Sequence, residues 1–426
     1  MKITLPYGSK KVSFQIGDDR FIRMYDPAKA LAAPDFEAEI RNAIDNPIGT
    51  LPLEELISPD ASINIIIDDG SRPTPVSRIL PILLQKLEGI GVKSGKIRII
   101  AALGSHRHMT SAELEERVGS DIYNRYEVVN SEFRDPEKLV FVGKTPENVD
   151  IFAAKIAMDA DVRIGIGNLV PHPVMGWSGG GKILYPGVAG EDTVSYFHLK
   201  GSLIDRNLFG REDSPVRDMM EGWVDTIGLD FIINTVLNSE MQLHKAVAGH
   251  YIEAHRAGVA IAKKVLGCPV EKRVDVVVVS AYPADQDFWQ SPKGMYSAEF
   301  ALKGETGGTI ILVSPNYEGV GPHPEYPEWM GRNDGDELVK SILAGQHFNG
   351  DALAMAIGNS MSKMRRRRRL VVVSDGVTAE DMARCGCAHY PPSELQKAVD
   401  EAVSHYENGT VAAVSNGAET FLYHSF

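Results

Sequence analysis

Three short apolar runs, residues 62–67, 97–103 and 162–166, are rich in β-branched side chains and stop in polar or glycine-containing loops. A run of that length bounded by turn residues predicts a strand buried on both faces, the kind found in parallel sheets. Between the first two, Ile79, Leu80, Leu83, Leu84 and Leu87 fall on one helical face. Pro81 is expected in about the first turn of that helix, where proline is best tolerated. Thr110 and Glu113 form a capping-box pattern that starts a helix after the second run. A helical pattern over residues 251–266 leads into Gly267-Cys268-Pro269, after which residues 274–280, 309–313 and 370–374 read as strands of a second unit. The last helical pattern, residues 393–406, precedes residues 411–414, which are expected to rejoin the first unit.

This alternation predicts an α/β fold: two α/β domains with largely parallel sheets and an active-site cleft between them. The boundary is placed near Pro269. Residues 1–269 with 407–426 form a first, cofactor-binding domain, and 270–406 form a second that contributes substrate-binding residues.

Composition narrows the function classes. A chain of 426 residues with 43% hydrophobic and 24% charged residues reads as an ordinary globular protein. Its net charge of −13 disfavours a general nucleic-acid binder, which needs a basic surface for phosphates. The five arginines at 365–369 are the exception, and they are expected at a solvated edge or a subunit contact. No apolar run reaches the roughly twenty residues a bilayer span requires. The first residues lack the hydrophobic segment of a signal peptide. Three cysteines, Cys268, Cys385 and Cys387, make no disulfide framework, which suggests a reducing cytoplasm. Cys385 and Cys387 could hold a soft metal, but an inert or redox-exposed pair is the simpler reading.

Position gives the polar motifs their meaning, because ligands of open α/β sheets bind beyond the carboxyl ends of the strands. Asp68-Asp69-Gly70-Ser71-Arg72-Pro73-Thr74-Pro75 and Gly104-Ser105-His106-Arg107-His108 each follow a predicted strand directly. Residues 171–182 follow the third after a short interval, so all three segments are expected on one rim. Arg72 offers a planar fork for a carboxylate or phosphate, unless the loop is only a strand-ending turn with a surface ion pair. Alternation would turn His106 and His108 the same way. Pro171-His172-Pro173 holds its histidine between rigid residues, as suits a fixed base, or is merely a stiffened loop with an exposed imidazole. Gly176-Trp177-Ser178-Gly179-Gly180-Gly181-Lys182 has the spacing of a P-loop. Ile183 replaces the hydroxyl that would hold magnesium, and Pro186 would cut the required helix short. A phosphate- or nucleotide-binding protein using this loop stays open as an alternative. Trp289-Gln290-Ser291-Pro292-Lys293 follows the second unit's first strand, where Gln290 and Lys293 could reach a small acid across the cleft.

The combined set, with His198 sixteen residues beyond Lys182, resembles the nickel-dependent lactate racemase family over nearly the whole chain. The resemblance implies racemisation or epimerisation of a 2-hydroxy acid by proton-coupled hydride transfer to a nickel-pincer nucleotide. That cofactor is pyridinium-3,5-bisthiocarboxylic acid mononucleotide, tethered to a lysine that Lys182 matches. His198 matches the histidine that completes the nickel coordination, and imidazole in a planar set suits Ni(II). His106 and His172 match the two acid–base histidines, while Arg72, Gln290 and Lys293 match groups that hold substrate. Asp69, Ser71, Thr74, Gly179, Gly180 and Gly181 are expected close to the cofactor or substrate. The resemblance also implies accessory enzymes that build the cofactor, and it is compatible with a homo-oligomer. Trp289 stands where the lactate enzyme has tyrosine, which leaves lactate, longer aliphatic acids and sugar acids as candidate substrates. A non-catalytic member that keeps the pocket without turnover is the other alternative.

Overall fold

Isoleucine and valine dominate Ile63–Asp68, Ile97–Ala102 and Val162–Asn168, and side chains on both faces of each strand are buried. Such strands are stable only with both faces covered. The computed structural model, which describes residues 1–424, places them at the centre of a six-stranded sheet. Its order is Leu243–Gly249, Phe231–Leu237, Val162–Asn168, Ile63–Asp68, Ile97–Ala102, Glu127–Asn130. All neighbours are parallel except the pair at the Leu243–Gly249 edge. Strand order reverses between Ile63–Asp68 and Val162–Asn168, which opens a crevice beyond their carboxyl ends.

The helix Val76–Ile90 buries the expected apolar face, but Pro81 lies in its second turn rather than its first. Each buried aliphatic side chain contributes about 1.5–3 kcal/mol, enough together to outweigh the hydrogen bond that proline deletes. Thr110 caps Ser111–Val118 with both halves of the capping box present.

The second sheet is entirely parallel and runs Ala388–Tyr390, Arg369–Val373, Thr309–Val313, Val276–Ser280, Val411–Val414, Phe21–Tyr25. Val411–Val414 therefore does not return to the first sheet, contrary to expectation. All four of its residues are buried, and they fill the gap between Val276–Ser280 and Phe21–Tyr25. The preceding helix Leu395–Ser404 lies on the same sheet, with Leu395 and Val399 in one cluster with Val278 and Ile311. The N-terminal residues also belong here rather than with the first sheet. The hairpin Lys2–Tyr7 with Lys10–Gln15 buries Ile3, Leu5, Tyr7 and Phe14 in that cluster, and Phe21–Tyr25 forms the sheet edge. Order reverses between Val276–Ser280 and Val411–Val414, so this sheet has its own crevice.

Most of the arginine run departs from its expected place as well. Arg365 donates to the carbonyls of Met330, Gly331 and Arg332, and Arg368 to those of Lys303, Gly304 and Gly307. Arg367 and Arg368 both pair with the buried Glu299. Arg365, Arg367 and Arg368 are thus internal scaffolding at the end of Ala352–Arg367, where cations also suit the helix dipole, while Arg366 is exposed as expected and Arg369 pairs with Glu401 at the surface. All three cysteines are buried and free. Burial raises the Cys385 and Cys387 thiols, Cys387 to about 12, so neither forms a thiolate readily. Among the described residues no helix is long and apolar enough to cross a membrane.

Candidate active site

The two crevices enclose a cavity of about 150 Å³. Loops of the first sheet bring Asp69, Arg72, His106, His172 and Lys182 to it; the helix Glu191–Ser202 brings His198. Trp289, Gln290 and Lys293 come from the loop after Val276–Ser280 and the start of Lys293–Glu299. Nine residues singled out in the sequence thus share one wall system.

Arg117 builds the 68–75 loop. Its guanidinium donates to the carbonyls of Asp68, Arg72 and Thr74 and pairs with the Asp68 carboxylate. Thr74 Oγ1 donates to Asp68 Oδ2 at 2.5 Å, and Ser71 Oγ to Asp69 Oδ1 at 2.5 Å. Ser71 and Thr74 line an adjoining outer chamber and not the central cavity, so their hydroxyls shape the loop instead of facing its contents. Asp69 is buried, which alone would raise its carboxyl, but the His106 ring and the Arg72 charge hold it well below the usual carboxylate range.

His106 stands between the lobes. Its Nδ1 faces Asp69 Oδ2, while its Nε2 lies 2.6 Å from Gln290 Nε2. Gln290 Oε1 in turn accepts from Lys293 Nζ. The directions are fixed by this chain. Lys293 donates to Gln290, Gln290 donates to His106 Nε2, and His106 Nδ1–H donates to Asp69. His172 has the opposite tautomer, since its Nδ1 accepts from the backbone N–H of Val174 and Met175, each at 3.2 Å. Burial, then Lys182, Lys293 and Arg72, push the His172 ring well below its ordinary value, so it is neutral and carries its proton on Nε2. His108 turns away from the cavity to Glu132, 3.6 Å distant, because the chain has left strand geometry by Gly104.

Lys182 lies in the short turn Gly180–Ile183, not at the start of a long helix as a P-loop would require. Burial first, then Arg72 and Arg217, pull its amine from 10.5 to about 7. Of the three preceding glycines only Gly179 lines the cavity. Gly180 and Gly181 pack inward: a Cβ on Gly180 would sit 2.9 Å from the Tyr251 carbonyl, and one on Gly181 2.9 Å from Val224 Cγ2. Their role is close packing rather than contact with a ligand. His198 Nδ1 lies 2.8 Å from the Val194 carbonyl, which leaves the Nε2 lone pair free. Burial holds this ring down at about 4, so it stays uncharged.

Known proteins match the chain as well. Residues 7–209 match the lactate racemase N-terminal domain and residues 270–421 the lactate racemase C-terminal domain. The chain belongs to the lactate racemase family. The lactate racemase of Lactiplantibacillus plantarum is 33% identical over 350 residues, 80% of this chain and 81% of that protein. That of Thermoanaerobacterium thermosaccharolyticum is 30% identical over 351 residues, 80% of this chain and 81% of that protein. The structure of the apoprotein from Thermoanaerobacterium thermosaccharolyticum superposes with a TM-score of 0.84 at 25% identity, covering 100% of both chains. A Thermotoga maritima protein has the same fold, with a TM-score of 0.71 at 19% identity over 93% of this chain and 100% of its own. Membership in this family makes the chain an isomerase of the racemase class.

Four residues of this family member's site escaped sequence reasoning. Arg217 is buried and donates to the carbonyls of Met175 and Trp177, fixing the segment after His172, while it shares Glu221 with Arg256. Its i, i+4 spacing from Glu221 was a readable signal. Asn168 lines the cavity with a buried Nδ2 that has no partner. Glu419 is buried in a niche shared with Arg72, His172 and Lys293, and burial raises its carboxyl to about 7 against the pull of both cations. Arg117 is the fourth. The last three sit in unexceptional local sequence.

Proposed function

We propose that the protein interconverts stereoisomers of a 2-hydroxy acid using a nickel-pincer nucleotide tethered through Lys182. The observation that carries this reading is the convergence of Lys182, His198, His106 and His172 on one cavity. The donor set suits such a group. A lysine amine near neutrality is a competent nucleophile for a covalent tether. His198 presents a free, uncharged Nε2, and imidazole is a good nickel ligand. Among the described residues no three His, Cys, Asp or Glu side chains form a metal cluster, which suits a metal whose other ligands belong to the organic group. The unpartnered Nδ2 of Asn168 offers that group a hydrogen bond.

When bound, the nucleotide supplies a reversible hydride acceptor, which spares the enzyme from forming a dianion beside the substrate carboxylate. The chain's own residues do the rest. Arg72 and Lys293 bind the carboxylate, with the Arg72 fork suited to a bidentate grip. His106 Nε2, once Gln290 releases it, takes the proton of the substrate hydroxyl, and Asp69 stabilises the resulting imidazolium. His172 presents its Nε2–H to the oxygen of the other stereoisomer; to exchange a proton there its ring passes through the imidazolium, with Nδ1 turning from acceptor to donor as it leaves the Val174 and Met175 amides. Two such groups are needed because the hydroxyl points differently in the two isomers. The low charge state of His172 and Lys182 follows first from burial, and the neighbouring positive groups that attract the acid add to it.

The experiment is a polarimetric screen of lactate, longer aliphatic and sugar-derived 2-hydroxy acids with protein co-produced with the cofactor-building enzymes. Racemisation of at least one acid is expected, with a cofactor adduct on the native chain by intact mass and none on Lys182→Ala. Full activity from protein made without those enzymes overturns the mechanism.

A further inference from the structure

Ser105, His106 and Arg107 each reach the other lobe. The Ser105 carbonyl lies 3.2 Å from His323 Nε2, His106 meets Gln290, and Arg107 pairs with Glu318 at 3.4 Å. His323 is the most enclosed of these partners, its side chain being wholly buried. Its Nδ1 is 2.6 Å from Asp351 Oδ2. The other oxygen of Asp351 caps the helix Ala352–Arg367, accepting from the N–H of Leu353 and Ala354. One carboxylate thus ties the His323 ring to a long helix of the second lobe. The ring also stacks on Trp289, with centroids 4.2 Å apart and planes tilted by 33°. Gly321 makes that approach possible, since a Cβ there would stand 2.8 Å from Trp289 Cβ and its φ is +90°. Both ring nitrogens face oxygens that only accept, so His323 serves both when it carries both N–H groups.

We propose that His323 is a positioning residue that sets His106 against Gln290 and Trp289 by gripping the Ser105 carbonyl from the opposite lobe. It does not line the central cavity. Its influence passes through the backbone of the residue before His106 and through the ring beside Gln290. The proposal rests on the reading of His106 as an acid–base group. A shift of about 1 Å in such a group lowers turnover on the order of 10²-fold.

The test uses His323→Ala, His323→Gln and Asp351→Asn in the full, cofactor-loaded chain. Asn at 351 keeps an acceptor for the helix cap while weakening the grip on the ring, so it serves if His323→Ala fails to fold. Amide hydrogen exchange at residues 104–108 is expected to quicken about tenfold or more, with the strands of both sheets unchanged. For whichever acid the enzyme turns over, kcat is expected to fall on the order of 10²-fold with KM altered far less. His323→Gln, which keeps one donor, is expected to recover part of both effects. Unchanged exchange at 104–108 in a folded variant, or a lowered Tm with parental kcat, overturns the proposal. If the parent racemises no acid, the function fails, while the exchange measurement still decides whether His323 holds the loop.

Discussion

His106 Nε2 and Gln290 Nε2 lie 2.6 Å apart across the cleft. Since an amide nitrogen can only donate, this contact marks His106 Nε2 as the lone pair and sends its proton to Nδ1, against Asp69. Under the proposed function this lone pair is the base, and Gln290, which covers it, must yield to substrate.

Asp69→Asn tests that assignment. An amide NH₂ facing Nδ1 favours the wrong tautomer, so kcat is expected to fall about 10²–10⁴-fold with a smaller change in KM. Steady-state kinetics of the loaded enzyme read this. Parental kcat in Asp69→Asn refutes the orientation role.

The unmodified Lys182 should behave as a near-neutral amine. Labelling by an amine-directed acylating reagent, followed by peptide mapping, is expected to reach half its maximal rate near pH 7 at Lys182, against 10.5 for an ordinary lysine. A Lys182 profile matching that of surface lysines contradicts the desolvated site.

Glu419 gives a pH dependence of stability. Between pH 4.5 and about 7 the folded chain retains a proton on Glu419 that the unfolded chain has released, so its contribution destabilises the fold as pH rises through that window. Relative to the parent, Glu419→Gln is expected to gain on the order of 3 kcal/mol between pH 4.5 and pH 8. Urea unfolding at the two pH values measures the difference. A parallel pH dependence in both proteins excludes the effect.

Arg217→Met removes the donor that pins the Met175 and Trp177 carbonyls and leaves Glu221 with Arg256 alone. Breaking a buried pair of this kind costs about 3–5 kcal/mol, which equilibrium denaturation should register. Loosening of the segment after His172 should also raise its amide exchange. A loss below about 1 kcal/mol would mean that Arg256 compensates fully.

Features set by near neighbours are legible in the sequence. The strands at Ile63–Asp68, Ile97–Ala102 and Val162–Asn168 were visible because burial on both faces demands continuous β-branched residues. The loops bearing Asp69, Arg72, His106 and Lys182 followed from those strands, since the chain must leave a parallel sheet at the carboxyl end of each. The three glycines before Lys182 suggested a ligand cradle, yet two serve packing against Tyr251 and Val224, which lie far away in sequence. Arg365 and Arg368 looked like solvent-facing charge because their acceptors, the carbonyls of residues 303–307 and 330–332, carry no signature of their own.

The sequence by itself determined the two-sheet α/β character, the motif-bearing rims and the residue types available for chemistry. Tertiary structure alone decided that residues 411–414 and the N-terminal strand complete the second sheet. It also decided that His108 faces out while His106 faces in, that His106 and His172 have opposite tautomers, and that Glu419 sits beside Arg72 and Lys293. The physical reason is the same in each case. Strand and turn preferences act over a few neighbouring residues, whereas pairing partners, desolvation and proton positions are set by groups that approach only when distant segments pack.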